Sequence, residues 1–392
     1  MAGWVTTALG FTIPIWVVAD SILLIILVAC WVASGEWREK ARRIVTNPVA
    51  ITVLLLFAWL LLGTLWGGGS LEERTLAVKK YADLLLIPLL ISMVIDVQER
   101  NRAIIALAAA LVVTLLLSLA LSLGILPTGG FIKGDPANPF VFKKHITHNV
   151  LMAFGALLFA ALAWRSLDTR IRWVWGVLAL LAVGDVLMVQ GRTGYVVLAG
   201  LVMLFVSMCF GWRGVAASAV ILALVFSGAY QVSTNFRDRV NLTASNVMQR
   251  SSGPADIATR ERVEFYQYTV RIIEDHPILG VGTGGFVQAY TDQVRHTGAA
   301  VTSNPHNQYL LIMVQVGVIG LGLLVWLFVL QWRVKTILED KTYGLLARGI
   351  VLTMAVGCLF NSLLIDHTEK LLYCWFSGLM YTKAGIRPGT TA

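Results

Sequence analysis

Three residues combine cationic or proton-accepting chemistry with positions that ordinary packing does not call for: Arg192, Arg260 and His306. Arg192 lies in Gln190-Gly191-Arg192-Thr193-Gly194, a tight link between two apolar blocks. A guanidinium there is costly to bury and calls for an anionic partner. The plain alternative is snorkelling of a long side chain to the interface, although the flanking glycines leave the group open to a bulky ligand. Arg260 belongs to the stretch Thr259 to Ile273. There Val263, Tyr266, Val270 and Ile273, with Ile257 before them, recur at helical spacing and predict an amphipathic helix. The helix should end before His276-Pro277, because proline disfavours its continuation. Arg260 falls in the first turn, where the helix dipole opposes a cation. A ligand phosphate would compensate, and so would a salt bridge to Glu264 four residues on. His306 lies in Asn304-Pro305-His306-Asn307-Gln308-Tyr309, where a long polar stretch gives way to an apolar block. Asn304 or His306 can cap a helix beginning near Asn307. An imidazole at that N-terminus is biased towards its neutral form, which suits it to accept a proton from a hydroxyl. A capping or interfacial histidine is the competing reading.

Other polar groups carry weaker signals. His145 and His148 are three apart and could share a metal, but no carboxylate stands near them in sequence, and zinc is not expected. In Asp366-His367-Thr368-Glu369-Lys370, either Asp366 or Glu369 could orient His306 or act as the base, and a charged turn is the simpler reading of each. Asp20 and Asp185 interrupt apolar blocks but look too isolated for a proton pathway. Gly280-Val281-Gly282-Thr283-Gly284-Gly285-Phe286 satisfies G-x-G-x-x-G formally. With no strand before it and no βαβ unit around it, the dinucleotide reading fails and a turn or close backbone packing is expected.

The elements that must position these groups follow from composition. Of 392 residues, 57% are hydrophobic and 14% charged, against about 25% charged in soluble domains. The stretch from Ala103 to Leu126 contains no charge, and about 20 such residues cross the hydrocarbon core as a helix. Apolar blocks near 4–17, 19–34, 49–66, 82–96, 103–126, 149–164, 173–189, 193–210, 214–231, 307–331, 345–365 and 371–381 predict an all-α, polytopic helical membrane protein of about twelve transmembrane helices. Eleven result if the N-terminal block, broken around Pro14 to Asp20, is one helix. Residues 1–34 lack a basic start and read as membrane-spanning rather than as a cleavable leader. The expected organisation is N-terminal transmembrane helices over 1–230, a large periplasmic loop containing helices over 231–306, and C-terminal transmembrane helices over 307–392. Cys30, Cys209, Cys358 and Cys374 sit in apolar blocks and read as small buried hydrophobes.

With the N-terminus inside, short loops holding Arg38, Lys40, Arg42, Arg43, Arg100, Arg102, Arg165, Arg170, Arg172, Arg213, Arg333, Lys335, Lys341, Lys383 and Arg387 face the cytoplasm. Lys79, Lys80, Lys143, Lys144 and Arg192 then fall outside, against the usual bias. As a set these outer cations suit an anionic phosphate or pyrophosphate. The net charge of +9 is read as topology and anionic lipid, with no nucleic acid as partner.

Taken together, Arg192 in a Gly-Arg-Thr-Gly turn, Arg260 in a long outer segment, Gly280 to Gly284, and Pro305-His306-Asn307 leading into Gln315-Val316-Gly317-Val318-Ile319-Gly320-Leu321 resemble the O-antigen ligase family. O-antigen polymerases and bacterial protein O-oligosaccharyltransferases share that superfamily. The resemblance covers about Lys143 to Lys370 and is most specific from Pro305 to Leu321. Gln315 departs from the glutamate of the family, so no catalytic carboxylate is expected there.

The resemblance implies a bacterial inner-membrane glycosyltransferase of lipopolysaccharide biosynthesis, with its active site facing the periplasm. Its donor would be an undecaprenyl-diphosphate-linked glycan and its acceptor a sugar hydroxyl of lipid A–core, with membrane lipids around it and no metal or cofactor. Arg192 and Arg260 would hold the diphosphate and His306 would act at the acceptor hydroxyl, with Lys79, Lys80, Lys143, Lys144, Asn307 and Tyr309 completing the substrate-binding set. A polymerase is the nearest alternative. A protein O-oligosaccharyltransferase is expected to carry more sequence after its last apolar block, and a flippase would call for inverted repeats around a midplane site.

Overall fold

A computed structural model describes residues 1–93, 95–232, 237–238, 241, 257–333 and 341–383. Among the described residues the chain is helical, with isolated bridges Gly129↔Ile132 and Asp135↔Asn138 as its only strand-like pairing. The helices are α1 (Ala2–Thr12), α2 (Val17–Ala33), α3 (Trp37–Thr46), α4 (Pro48–Leu62), α5 (Leu71–Tyr81), α6 (Leu86–Ser92), α7 (Val97–Ser122) and α8 (His145–Arg165). They continue with α9 (Thr169–Met188), α10 (Arg192–Phe210), α11 (Trp212–Val232), α12 (Ile257–Asp275), α13 (Phe286–Val294), α14 (Gln308–Arg333), α15 (Lys341–Gly357) and α16 (His367–Met380).

Six described helices are long and apolar enough to cross a membrane: α4 with its 3-10 extension, α7, α8, α9, α10 and α14. The pair α2 and α3, bent by 112°, makes seven if counted as one span. That is fewer than the twelve expected, because apolar blocks do not all become long helices. The 82–96 block breaks into a 3-10 turn and the 7-residue α6, while α1 has 11 residues and α16 has 14. At 1.5 Å per residue these fall well short of the hydrocarbon thickness. The apolarity of α16 has another use: Tyr373, Trp375 and Phe376 are fully buried core.

The chain forms two compact units. The first comprises Met1–Trp37, Met93–Ala244 and Lys335–Gly357. α8 is its central helix, packed by α9, α10 and α15, with most of its length buried. α9 is the opposite case, leaving Ile171, Trp173, Val174, Val177 and Leu180 exposed as a lipid-facing side. Asp96 and Asp168 cap α7 and α9, accepting from the backbone N–H of Glu99 at 2.7 Å and of Arg170 at 2.7 Å.

The second unit comprises Arg38–Ser92, Ser245–Val334 and Cys358–Ala392. α4 packs on α14, α16 on α6, and α12 on α13 and α14. Phe265, Ile272 and Ile273 of α12 bury against Phe286, Tyr290, Leu311 and Val314, which is why α12 carries an apolar stripe. α14 kinks at Val316 and Gly317. The backbone groups freed there are satisfied: Trp59 Nε1 donates to the Val316 carbonyl at 2.9 Å, and the Val318 N–H to that of Pro277 at 3.0 Å.

Candidate active site

In the second unit the chain enters α14 through His306, which is half-buried and has a left-handed backbone with φ 55°. Few non-glycine residues adopt that conformation, and histidine is among the types enriched there. Neighbours fix both its backbone groups. Its N–H donates to Asn304 Oδ1 at 2.9 Å, and its carbonyl accepts from the Tyr266 hydroxyl at 3.1 Å. Ser362 Oγ donates to the same Asn304 oxygen at 2.6 Å. The ring stacks on Phe265, with centroids 6.2 Å apart and planes at 27°.

Burial pushes the His306 imidazole below its ordinary pKa, the nearby Arg262 guanidinium lowers it further, and a side-chain hydrogen bond with Asn361 opposes both. The neutral state expected of this residue is therefore favoured, with desolvation the largest cause and Arg262 the next. The Tyr266 phenol is pushed up by burial, against the opposing influence of Arg262 and Asn307.

The helix cap also differs from expectation. Asn307, rather than Asn304 or His306, caps α14: its Oδ1 accepts from the N–H groups of Tyr309 at 2.9 Å and Leu310 at 3.1 Å. Its Nδ2 donates to the Leu359 carbonyl at 3.1 Å, which also accepts from Tyr266 at 3.2 Å. Directly behind the cap, Gln308 Nε2 donates to the Tyr81 hydroxyl at 3.2 Å, and Tyr81 donates to Gln315 Oε1 at 3.1 Å. The departure at Gln315 thus supplies a neutral acceptor in a buried chain of neutral groups.

α12 matches the expected amphipathic helix, and Arg260 is its fourth residue, in the first turn. The Arg260 side chain lies outside the described residues, as do Lys335, Lys383 and Arg387 except for the backbone of Lys383. The glycine segment serves close packing, as expected: Gly282 has φ +85°, and a Cβ on it would strike the backbone of Gly67.

Arg192 belongs to the first unit, as the first residue of α10. The turn before it is held from three sides. Asn149 Nδ2 donates to the carbonyls of Val189 at 3.0 Å and Gly191 at 3.1 Å. Asn138 Oδ1 accepts from the Gln190 N–H at 2.9 Å, and the Tyr195 hydroxyl donates to Val189 at 2.9 Å. A Cβ at Gly194 would lie 2.6 Å from Asn149 Cβ, so glycine is required where α10 crosses α8.

Beside this turn His148 Nε2 lies 2.9 Å from Asp185 Oδ2, and Ser118 Oγ bonds the other oxygen of Asp185. Asp185, read from the sequence as isolated, is therefore paired. His148, for which no zinc role is expected, is its partner, since α8 and α9 align the two residues across a hairpin 37 positions long.

The other expected site residues fall as follows. Lys79 and Lys80 are exposed at the end of α5, and the Lys80 carbonyl accepts from Lys370, which is also 2.9 Å from Asp83. Lys144 is exposed at the N-cap of α8 while Lys143 is buried. Tyr309 is partly buried in the first turn of α14. The His306 side chain bonds Asn361 rather than Asp366 or Glu369, and Glu369 is buried within α16.

Sequence reasoning did not single out Phe265, Arg262, Asn361, Ser362 or Asn149, and counted Tyr266 only as part of an apolar stripe. The arginine-flanked aromatic pair in Arg262-Val263-Glu264-Phe265-Tyr266 was the one signal that pointed to it.

Residues 177–325 match the family described as O-antigen ligase, a span that includes Arg192, Arg260 and His306. No curated protein matches the chain.

Proposed function

We propose that this chain, whose residues 177–325 match the O-antigen ligase family, works as a member of that family and moves a polysaccharide from undecaprenyl diphosphate to a sugar hydroxyl of lipid A–core. The observation that carries the reading is His306: a half-buried imidazole held neutral beside a cation, with its backbone fixed on both sides. Such a group accepts a proton from an attacking hydroxyl at neutral pH. The acceptor oxygen attacks the anomeric carbon as the bond from that carbon to the diphosphate oxygen breaks. The electron pair leaves on the diphosphate and the hydroxyl proton passes to His306. Arg192 and Arg260 are assigned to the diphosphate, whose growing charge fixed guanidinium groups stabilise. Lys79, Lys80 and Lys144 are exposed and suit secondary phosphate contacts. The buried Lys143 is better suited to holding local structure. On this reading the donor is already activated and the site faces the periplasm of the bacterial inner membrane.

An O-antigen polymerase is the second reading, because the same cations and base would serve a lipid-linked acceptor. Product identity separates the two. Purified protein is given undecaprenyl-diphosphate-linked glycan together with lipid A–core, without nucleotide or added metal. Glycan attached to lipid A–core supports the ligase, whereas lengthened lipid-linked glycan with untouched core identifies a polymerase.

A further inference from the structure

The first unit carries a second cationic feature, at the end of the helices remote in sequence from Arg192. Where α7 and α15 begin and α8 ends, Asn101, Ile104, Ile105, Leu162, Arg165, Ser166, Thr342, Tyr343 and Leu346 line a cavity of about 260 Å³. The guanidinium carbons of Arg100 and Arg165 lie 4.2 Å and 5.2 Å from the ring centre of Tyr343. Arg165 Nη1 donates to Asn101 Oδ1 at 3.0 Å, and Tyr343 bonds the same oxygen. Arg172 donates through Nε and Nη2 to the Ser166 carbonyl, at 3.3 Å and 2.9 Å.

Among the described residues, no carboxylate answers these charges. Among the described residues none forms an ion pair with Arg100, Arg165 or Arg172, and Arg100 Nε is buried without a hydrogen-bond partner. Of the described acids near them, Asp96 caps α7 and Glu99 lies 4.0 Å from Arg102. Arg100 also sits in the first turn of α7, where the helix dipole opposes a cation. The first turn of α15 adds backbone N–H groups with no acceptor within the helix. Such an arrangement favours an anion. Its other wall is aliphatic, formed by Ile104, Ile105, Leu162 and Leu346.

We infer that this cavity binds an anionic glycerophospholipid, with the headgroup phosphate at Arg165, which lines it, Arg100 adding its charge from against the lining residue Tyr343, and the upper acyl chain along the isoleucine and leucine wall. A soluble phosphate would satisfy the cations but leave the apolar wall unfilled, and a zwitterionic lipid would bring its own cation to the arginines. The basic loops at this end correspond to the leaflet facing the cytoplasm by the positive-inside bias.

The test uses full-length protein stripped of lipid in a neutral detergent, with binding followed by native mass spectrometry and thermal unfolding. Phosphatidylglycerol should bind and raise the unfolding midpoint, while phosphatidylcholine and inorganic phosphate should not. The double variant Arg100→Gln/Arg165→Gln should bind phosphatidylglycerol roughly thirtyfold more weakly, at about 1 kcal/mol per cation. Arg213→Gln, which removes an exposed cation elsewhere in the unit, should leave binding unchanged. Ile105→Trp, which narrows the cavity without touching a charge, should weaken it and keeps the test open should the double variant fail to fold. Equal binding of phosphatidylcholine, saturation by inorganic phosphate alone, or an equal loss in Arg213→Gln would overturn the assignment.

Discussion

The hydroxyl of Tyr266 donates to the backbone carbonyl of His306 at 3.1 Å, across 40 residues of sequence. It ties the amphipathic α12 to the entry of α14 and fixes the carbonyl of a residue whose backbone is left-handed. Left-handed non-glycine residues cost on the order of 1 kcal/mol or more and persist where neighbours over-determine them. Tyr266→Phe removes one donor from two carbonyls, those of His306 and Leu359. The expected loss is about 1 kcal/mol of stability, together with a fall in transfer rate as the imidazole loses its fixed direction. Thermal unfolding and initial rates on the same preparation check both. An unchanged rate would separate Tyr266 from the site.

The pH dependence follows from the charge around His306. A histidine whose folded pKa is depressed stays neutral as the pH falls through its ordinary value near 6.5, so the acid limb of the transfer rate should lie below that value. The unfolded chain takes up the proton first, so the stability contributed by neutral His306 is complete above about pH 6.5 and declines as the pH drops below it. Arg262→Gln removes the second of the two effects that depress this pKa. The acid limb should then move to higher pH while burial still holds it below the unshifted value. A rate profile across pH 4.5 to 8 for the two proteins reads the shift, on the order of a pH unit or less.

Much of this architecture is legible in the sequence. The apolar blocks, the break between α1 and α2, the amphipathic α12 and its end near His276-Pro277 follow from periodicity and proline alone. What was hidden depends on contacts between distant segments. Asp185 looks isolated because its partner His148 is 37 positions away. Asn361 and Ser362 are ordinary polar residues until the chain folds them against His306 and Asn304. The block at 371–381 reads as a span because a buried core helix and a membrane helix have the same composition, and only its 14 residues distinguish it.

Asn149 should behave as a positioning residue for Arg192. Its two donors close the turn before α10, and Asn149→Asp keeps the shape while removing both. The lost bonds and the new buried charge are expected to cost a few kcal/mol. If Arg192 holds the donor diphosphate, the variant should raise KM for the lipid-linked donor more than for the acceptor. Equal effects on both substrates would mean that the turn serves stability alone.

Tyr290 offers a prediction of opposite sign. Its hydroxyl is buried without a hydrogen-bond partner in the core formed with Phe265 and Phe286, and burial first, with Glu264 and Tyr268, pushes its pKa up to about 12. Tyr290→Phe removes a desolvated polar atom and keeps the ring, so stability should hold or rise by about 1 kcal/mol. A fall in the unfolding midpoint of more than a few degrees would point to a hydroxyl partner in solution.

The central claim is that His306 is the base, and one comparison tests it most directly. Asparagine tolerates the left-handed backbone that His306 adopts, so His306→Asn should fold and bind the undecaprenyl-diphosphate donor as wild type does. Donor binding by isothermal calorimetry and transfer to lipid A–core are measured side by side for the two proteins. The account predicts donor affinity within about twofold and a transfer rate lower by roughly 10²–10⁴, the usual contribution of a positioned general base. A variant that binds donor normally and still transfers glycan at near the wild-type rate would contradict it.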